Sequence, residues 1–364
     1  MNMNKSPQNI LLIINPVSGR MRSATGLHEI LDELYRDDHA EYVLPLTESD
    51  EANTPPPNRT TPPQSASAPR SLLSTGSSGA LGGALNPNRR VTVVPTMYRG
   101  HASELAAMAA EEGYDTVICC GGDGTFNETV EGLMTLERDQ RPVVGYIPAG
   151  STNDFATSVG LTGSLREAAR VTVGSHLFHL DVGHFCPLGL NHPPARHFTY
   201  IASFGAFTST SYSTSQAAKN LFGHLAYLVA GVKDIGNIQP HHAAFDLPDG
   251  THLEGDYIFG AVANTTSAGG VLKLPSDAVS LSDGLMELFL IHMPRTPLEL
   301  QRIATALLAQ DIDGCPLIEL HHVQAVKILM DKNLSWSLDG EEALGGRRIE
   351  IRCNRRAIDL KTRA

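Results

Sequence analysis

Apolar positions in the first 160 residues alternate between short continuous runs and helical spacing. Four runs have the length of buried strands: residues 10–14, 91–94, 116–120 and 142–147. Helices are predicted between them, over residues 22–36, 99–112 and 129–137. This β-α-β-α order predicts a doubly wound α/β domain, in which helices cover both faces of a parallel sheet.

A different pattern begins near residue 165. Short alternating runs are now separated by turn residues, at 199–203, 257–262, 285–291 and 323–329. Helical segments near 217–233 and 297–309 interrupt them. This pattern is typical of a β-sandwich or barrel. We therefore predict an α/β plus all-β protein, with an N-terminal α/β domain over residues 1–160 and a β-rich domain over 161–364.

Residues 47–90 fit neither pattern. They are rich in proline, serine and glycine and carry no apolar period, which predicts a weakly ordered surface insertion within the first domain. The segment is longer than an ordinary connection between a strand and a helix. A tolerated excursion and a partner-binding segment both remain open interpretations.

Charge and composition narrow the functional classes. The chain has 364 residues, enough for two hydrophobic cores, and its net charge of −11 argues against nucleic-acid binding. Residues 347–364 are locally basic, with seven basic and two acidic side chains. That segment is either a solvated surface or a contact for phosphate or an anionic membrane surface.

The cysteines and the apolar stretches predict a cytoplasmic protein. The five cysteines lack the spacing of a disulfide framework or a zinc site, and the adjacent Cys119 and Cys120 are expected on opposite faces of one strand. The first ten residues lack the apolar core of a signal peptide. The apolar stretch over 221–232 is shorter than the roughly 20 residues that span a bilayer. Any contact with a membrane is therefore expected from outside it.

Three glycine-containing turns follow predicted strands, at residues 15–19, 121–128 and 150–155. Ligands bind at this edge of an open α/β sheet. Glycine allows the backbone to approach phosphate oxygens, and the free N–H groups of a first helical turn point at them. Asp123 would repel phosphate unless a cation such as Mg²⁺ lies between them. The turns therefore predict a site for a metal-bound nucleotide.

The chain lacks a lysine-based phosphate loop and a dinucleotide fingerprint, and Lys5 is the only lysine before residue 219. The missing fingerprint disfavours a dehydrogenase. Phosphate binding is therefore assigned to backbone N–H groups, side-chain amides, a metal ion and four hydroxyl groups, those of Ser18, Thr96, Thr125 and Thr152.

Two acidic turns lie in the second half of the chain. Asp339-Gly340-Glu341 either holds a general base rigidly at a cleft or is an ordinary hairpin turn. The turn at residues 280–285 offers Asp283 and backbone carbonyls, which suit a hard cation, but it is equally compatible with a simple turn. The residues alone leave both alternatives open.

Together, the turns at 15–19, 121–128 and 150–156 and the Asp339-Gly340-Glu341 turn resemble the motifs of the diacylglycerol kinase catalytic-domain family. The nearest resemblance is to its bacterial soluble lipid kinases, and sphingosine and ceramide kinases are more distant. The resemblance extends from about residue 8 to the C-terminus, with 47–90 as an extra segment. It implies an ATP-binding α/β domain and a lipid-binding β-sandwich-like domain with the active site in the cleft between them. It also implies that the last strands can return to the first domain.

The resemblance also implies residue roles. Glu341 would accept the proton with Asp339 beside it, Asp123 and Asp154 would organise the catalytic Mg²⁺, and a structural Mg²⁺ would be held by Asp283 with the carbonyls of Ser280 and Leu285. The residues implied for ATP binding are Asn15, Pro16, Val17, Ser18, Gly19, Thr96, Gly121, Gly122, Asp123, Gly124, Thr125, Phe126, Asn127, Glu128, Thr152, Asn153 and Asp154.

The implied reaction is Mg²⁺-assisted transfer of the γ-phosphoryl group of ATP to diacylglycerol, which gives phosphatidic acid. The alternatives are a kinase for a sphingoid base or another long-chain alcohol, an NAD kinase, and a non-catalytic binding protein. Residues 219–232 form either an apolar rim that enters the membrane interface or a core helix. Transient membrane association is expected, and the oligomeric state stays open, a homodimer included.

Overall fold

The structure is a computed structural model. It describes residues 8–22, 24–35, 40–43, 89–151, 153–189, 193–205, 239–265, 267–268, 272–273 and 279–363. The predicted helix over 217–233 and the apolar rim at 219–232 lie outside these residues. The predicted insertion over 47–90 lies outside them as well, apart from its last two residues, Arg89 and Arg90, which already belong to a strand.

The N-terminal part is a five-stranded parallel sheet in the order β5-β4-β1-β3-β2. Its strands are β1 (Gln8–Ile14), β2 (Ala40–Val43), β3 (Arg89–Pro95), β4 (Thr116–Gly121) and β5 (Val143–Pro148). Its helices are α1 (Ala24–Leu34), α2 (His101–Met108), α3 (Asp123–Met134), α4 (Asp154–Ser158) and α5 (Leu165–Thr172). Short 3-10 turns occupy Gly19–Arg22 and Arg138–Gln140.

Strand β4 is buried along its whole length because apolar side chains pack on both of its faces. Cys119 packs in the core that contains Phe126, whereas Cys120 packs in the core that contains Ile30. The two adjacent cysteines therefore face opposite sides of the sheet, as predicted. Helices thus cover both faces of the parallel sheet, which confirms the predicted doubly wound arrangement.

The C-terminal part is antiparallel. Its strands are β6 (Leu177–Leu188), β7 (Arg196–Phe198), β8 (Ile201–Gly205), β9 (His241–Asp246), β10 (His252–Ala263), β11 (Ser267–Ala268), β12 (Leu272–Lys273), β13 (Met286–His292), β14 (Ile318–Val323), β15 (Ala325–Leu338) and β16 (Glu341–Lys361). Helix α6 (Pro297–Ala309) connects β13 to β14. The core of this part surrounds Trp336, Phe204 and Phe245. The predicted β-rich second half is confirmed.

Strand β16 connects the two parts. It pairs with β15 and β6 over most of its length, and near its end Leu360 pairs in parallel with Val144 of β5. The sheet is therefore continuous from the parallel strands to the antiparallel ones. The division at residues 160 and 161 remains a prediction. None of the helices in the described parts of the chain is long and apolar enough to cross a membrane.

Candidate active site

The three predicted turns meet at one edge of the parallel sheet. Strand register aligns the ends of β1, β4 and β5, since Ile14 pairs with Cys120 and Gly121 pairs with Pro148. The turns touch: a Cβ atom on Gly150 would lie 2.6 Å from the Cα atom of Gly122. Only glycine at position 150 permits this approach, because the opposing atom is backbone.

The first turn is tied to the second through Asn15. Its side-chain Nδ2 donates to Thr125 Oγ1 (3.0 Å), and its Oδ1 accepts from the backbone N–H of Val17 (3.2 Å). Ser18 is buried, whereas Pro16 and Val17 are exposed. Thr96 is half-buried, and its backbone N–H donates to the carbonyl oxygen of Ile14 (2.7 Å). Gly19 packs close to the third turn, where its Cβ would lie 3.5 Å from Ser151 Oγ.

Helix α3 begins at Asp123, inside the predicted turn over 121–128, so residues 123–128 form its first turns and the predicted helix start at 129 is wrong. Its N-cap residue, Gly122, is extended and provides no side-chain cap, so the first N–H groups are not occupied by a capping side chain. Such a helix N-terminus can accept an anion. Gly121 must lack a side chain, because its Cβ would lie 2.6 Å from Thr125 Oγ1.

Several residues predicted to bind the nucleotide also support the turns. Phe126 is fully buried and stacks on Phe155 with ring centroids 4.4 Å apart. Glu128 Oε1 accepts the backbone N–H of Gly100 (2.9 Å), which fixes the loop between β3 and α2. Asn153 has a left-handed backbone with φ 53° and closes the third turn through two side-chain hydrogen bonds to Gly150. Thr152 lies outside the described residues.

Asp123 and Asp154 form the acidic part of the site. Asp123 accepts the backbone N–H of Asp154 (2.9 Å) and the hydroxyl of Tyr146 (3.3 Å). Burial raises the pKa of Asp123 to about 6, and the charge of Asp154 adds to that rise. Burial also raises the pKa of Asp154. Because burial disfavours the charged form of both carboxyl groups, a bound cation would be favoured here and would hold both in the charged form.

Asp339 is held more completely than the sequence indicates. Its Oδ1 accepts the N–H groups of Tyr200 (3.0 Å) and Ile201 (2.9 Å). Its Oδ2 accepts the N–H (2.6 Å) and hydroxyl (2.7 Å) of Thr199 and the Nδ2 of Asn127 (2.7 Å). Burial raises the pKa of Asp339, and these hydrogen bonds oppose the rise. The carboxylate therefore joins β8, α3 and the β15–β16 turn.

The turn itself is a two-residue hairpin, in which Leu338 pairs with Glu341 and both Asp339 and Gly340 have positive φ. The hairpin interpretation is thus correct for the backbone. It does not exclude a chemical role, because the turn delivers Glu341 to the start of α3: Glu341 Oε1 lies 3.8 Å from the position of a Cβ on Gly124.

Sequence reasoning missed two arginines at this carboxylate. Glu341 Oε2 accepts Arg99 Nη2 (2.9 Å) and Arg196 Nη2 (3.1 Å). The two arginines are 242 and 145 residues away from Glu341 in the chain. The one available signal was the scarcity of lysine, which leaves arginine as the cation for this site.

The proposed structural metal turn lies elsewhere. Asp283 and Leu285 are exposed, and Asp283 Oδ1 accepts the N–H of Leu285 (2.9 Å). Ser280 is also exposed. The neighbouring Gly284 donates to the buried Asp181 (2.6 Å), which accepts Arg356 N as well (2.6 Å). Within the described ranges, no three histidine, cysteine or acidic side chains are grouped so that they could hold a metal ion.

Two family models match the chain. Residues 80–185 match the model of the diacylglycerol kinase catalytic domain, and residues 203–360 match that of the YegS C-terminal NAD kinase beta sandwich-like domain. The diacylglycerol kinase of Bacillus subtilis is 31% identical over 247 residues, which cover 68% of this chain and 77% of that protein. A Chromohalobacter salexigens protein named "Probable lipid kinase YegS-like" is 32% identical over 266 residues, 72% of this chain and 81% of its own.

A solved structure extends the similarity in fold to nearly the full length of the chain. The crystal structure of a diacylglycerol kinase from Bacillus anthracis superposes with a TM-score of 0.61 at 17% identity, covering 98% of this chain and 97% of that one. The chain belongs to the diacylglycerol kinase catalytic-domain family. It is therefore a kinase.

Proposed function

We propose that the protein transfers the γ-phosphoryl group of ATP to the hydroxyl group of a diacylglycerol, which gives phosphatidic acid and ADP. The observation that carries this proposal is the position of Glu341, whose carboxylate lies against Gly124 at the uncapped start of α3. A carboxylate is thereby next to a helix terminus that would bind phosphate. Phosphoryl transfer depends mainly on such positioning and on neutralising charge.

The nucleotide would be held by the three turns. The N–H groups at the start of α3 would bind phosphate oxygens, helped by the turn that begins at Asn15. Ser18, Thr96, Thr125 and Thr152 remain proposed hydroxyl ligands. Phe126 and Asn127 would support the nucleotide site indirectly. Phe126 is fully buried in the core, and Asn127 donates a hydrogen bond to Asp339.

Asp123 and Asp154 would hold Mg²⁺. The oxygen donors suit a hard cation, and such a cation would offset the burial that raises the pKa of both carboxyl groups. When bound, the ion would supply charge neutralisation at the phosphates. A second, structural Mg²⁺ at Asp283 and the carbonyls of Ser280 and Leu285 remains part of the proposal. It is supported by the buried carboxyl groups of Asp181 and Glu287, which are close enough to Asp283 to interact with its charge.

Glu341 would be the general base. As the lipid hydroxyl oxygen attacks the γ-phosphorus, its bond to phosphorus forms, the bond from phosphorus to the ADP oxygen breaks, and the hydroxyl proton passes to Glu341. Asp339 would act as a positioning residue, because its hydrogen bonds occupy both carboxylate oxygens and fix the turn that carries Glu341.

A lipid acceptor is supported by the names of the relatives, since that of Bacillus subtilis is a diacylglycerol kinase. Contact with a membrane surface is supported by apolar side chains beside the nucleotide turns: Val17 is 71% exposed, Met97 81% and Tyr98 55%. These residues follow β1 and β3, so a bilayer at this edge would bring the acceptor to Glu341.

The test is a panel of acceptors with ATP labelled in the γ-phosphate and Mg²⁺. Dioleoylglycerol in mixed micelles, a sphingoid base and NAD are offered separately at equal concentration. The proposal predicts labelled phosphatidic acid as the main product. Preferred labelling of the sphingoid base or of NAD would leave the kinase fold in place and contradict the proposed acceptor.

A further inference from the structure

The proposed site has more acidic than basic side chains. Asp123, Asp154 and Glu341 surround a place where the phosphates of ATP would add further negative charge. Lys5 is the only lysine before residue 219. Among the side chains that the structure describes, the two that form arginine ion pairs with a site carboxylate are Arg99 and Arg196.

Two glutamates of helix α3 each accept a hydrogen bond from the backbone next to one of these arginines. Glu128 accepts the backbone N–H of Gly100, which follows Arg99, at 2.9 Å. Three residues further along the helix, Glu131 accepts the N–H of His197, which follows Arg196, at 2.7 Å. Residues three apart lie on the same face of a helix. One face of α3 therefore holds the backbone of each arginine close to the site.

The two guanidinium groups converge on one oxygen. Both donate to Glu341 Oε2, whereas Oε1 faces Gly124. Two positive groups and one carboxylate leave a net charge of +1 at this point. This excess positive charge lies beside the helix N-terminus that would hold the phosphates.

The two arginines are not equivalent. Arg196 is 28% exposed and donates also to the carbonyl of Glu342 (3.1 Å), so it has a second fixed partner. Arg99 is 73% exposed, and its described side-chain hydrogen bond is the one to Glu341. Arg99 can therefore leave the carboxylate by side-chain rotation, while Arg196 stays.

We propose that Arg99 binds the phosphoryl group during transfer and that Arg196 is a positioning residue for Glu341. This inference rests on the proposed function. Glu341 must reach the attacking hydroxyl, whose oxygen is in line with the γ-phosphorus, so a guanidinium at Glu341 is within a short rotation of the transferred oxygens. Movement of Arg99 to the phosphoryl group would also free a lone pair of Glu341 for the proton.

The test compares two nucleotide complexes: ADP with Mg²⁺, and ADP with Mg²⁺ plus aluminium fluoride. Aluminium fluoride mimics the phosphoryl group in the transition state of transfer. Calorimetric titration of the Arg99→Gln variant is expected to give an ADP affinity within twofold of the wild type. Its affinity for ADP with aluminium fluoride is expected to fall at least tenfold. Arg99→Lys, which keeps the charge and loses the fork of donors, should recover part of the loss.

Two controls complete the design. Arg302→Gln, at an exposed position of α6, should leave both affinities unchanged. Arg196→Gln should lower kcat without a selective loss of aluminium fluoride binding, and Arg196→Lys should restore part of kcat. Equal loss of both affinities in Arg99→Gln, or loss of neither, would contradict the proposal. Failure of the proposed function would be seen separately, as a wild-type protein that phosphorylates no lipid.

Discussion

Replacement of Asp339 by asparagine should destabilise the protein strongly, although the side chains have the same shape. The amide nitrogen must replace one of two oxygens. In place of Oδ1 it faces the N–H donors of Tyr200 and Ile201, and in place of Oδ2 it faces three donors from Thr199 and Asn127. The better orientation still leaves two buried donors without an acceptor.

A buried donor left unpaired costs about 1–3 kcal/mol, so two such donors should lower the free energy of unfolding by about 2–6 kcal/mol. The chain provides its own probe. Trp336 is the single tryptophan, is fully buried, and lies on β15 three residues before Asp339. Urea unfolding followed by its fluorescence therefore reports on the region that changes.

The matched control is Asp313→Asn, an exposed aspartate, which should change the free energy of unfolding by less than about 0.5 kcal/mol. If Asp339→Asn lost less than about 1 kcal/mol, the hydrogen bonds around Asp339 would not be the clamp described above. The role of Asp339 in positioning Glu341 would then also be refuted.

Three further predictions concern separate parts of the structure. Gly150→Ala should lower the unfolding midpoint and the ATP affinity, because its Cβ would lie 2.6 Å from Gly122 Cα; Gly19→Ala, whose Cβ would come no closer than 3.5 Å, should keep the midpoint of the wild type. Asp123→Asn should lower turnover by orders of magnitude with the fold retained. Asp123 becomes protonated as pH falls through about 6, and the variant has no carboxylate to protonate at this position. Calorimetry should therefore show that the wild type loses Mg²⁺–ATP affinity more steeply than the variant over this pH range. Burial raises the pKa of Glu287 from 4.5 to about 8, so between these pH values Glu287 is protonated in the folded state and ionised in the unfolded state. The free energy of unfolding of the wild type should therefore fall as pH rises from about 4.5 to 8. Urea unfolding in EDTA should show Glu287→Gln gaining stability over the wild type across that window, and an equal pH dependence in both proteins would contradict the assignment.

Much of the fold follows from local sequence signals. Helix α6 was predicted near 297–309 and occupies Pro297–Ala309, since Thr296 and Glu299 form a capping box and a proline fills the first turn. The glycine turns were recognisable because each follows a buried strand, and parallel strands bring their carboxyl ends to one edge.

Other features depend on contacts that no local pattern contains. The ion pairs of Arg99 and Arg196 with Glu341 arise only when the hairpin of β15 and β16 packs against α3. The 21-residue length of β16 was likewise not predicted, because Gly345 and Gly346 interrupt its apolar pattern. The five donors of Asp339 come from residues 138–212 positions away, so only the folded chain shows them.

The most direct test of the proposed function is phosphate transfer to dioleoylglycerol in mixed micelles by the wild type and by Glu341→Gln, with labelled ATP and Mg²⁺. The proposal predicts labelled phosphatidic acid from the wild type and at least a hundredfold less from the variant, with ADP affinity unchanged. Wild-type turnover by the purified variant would remove Glu341 as the base. Absence of labelled phosphatidic acid from the wild type would contradict diacylglycerol as the acceptor.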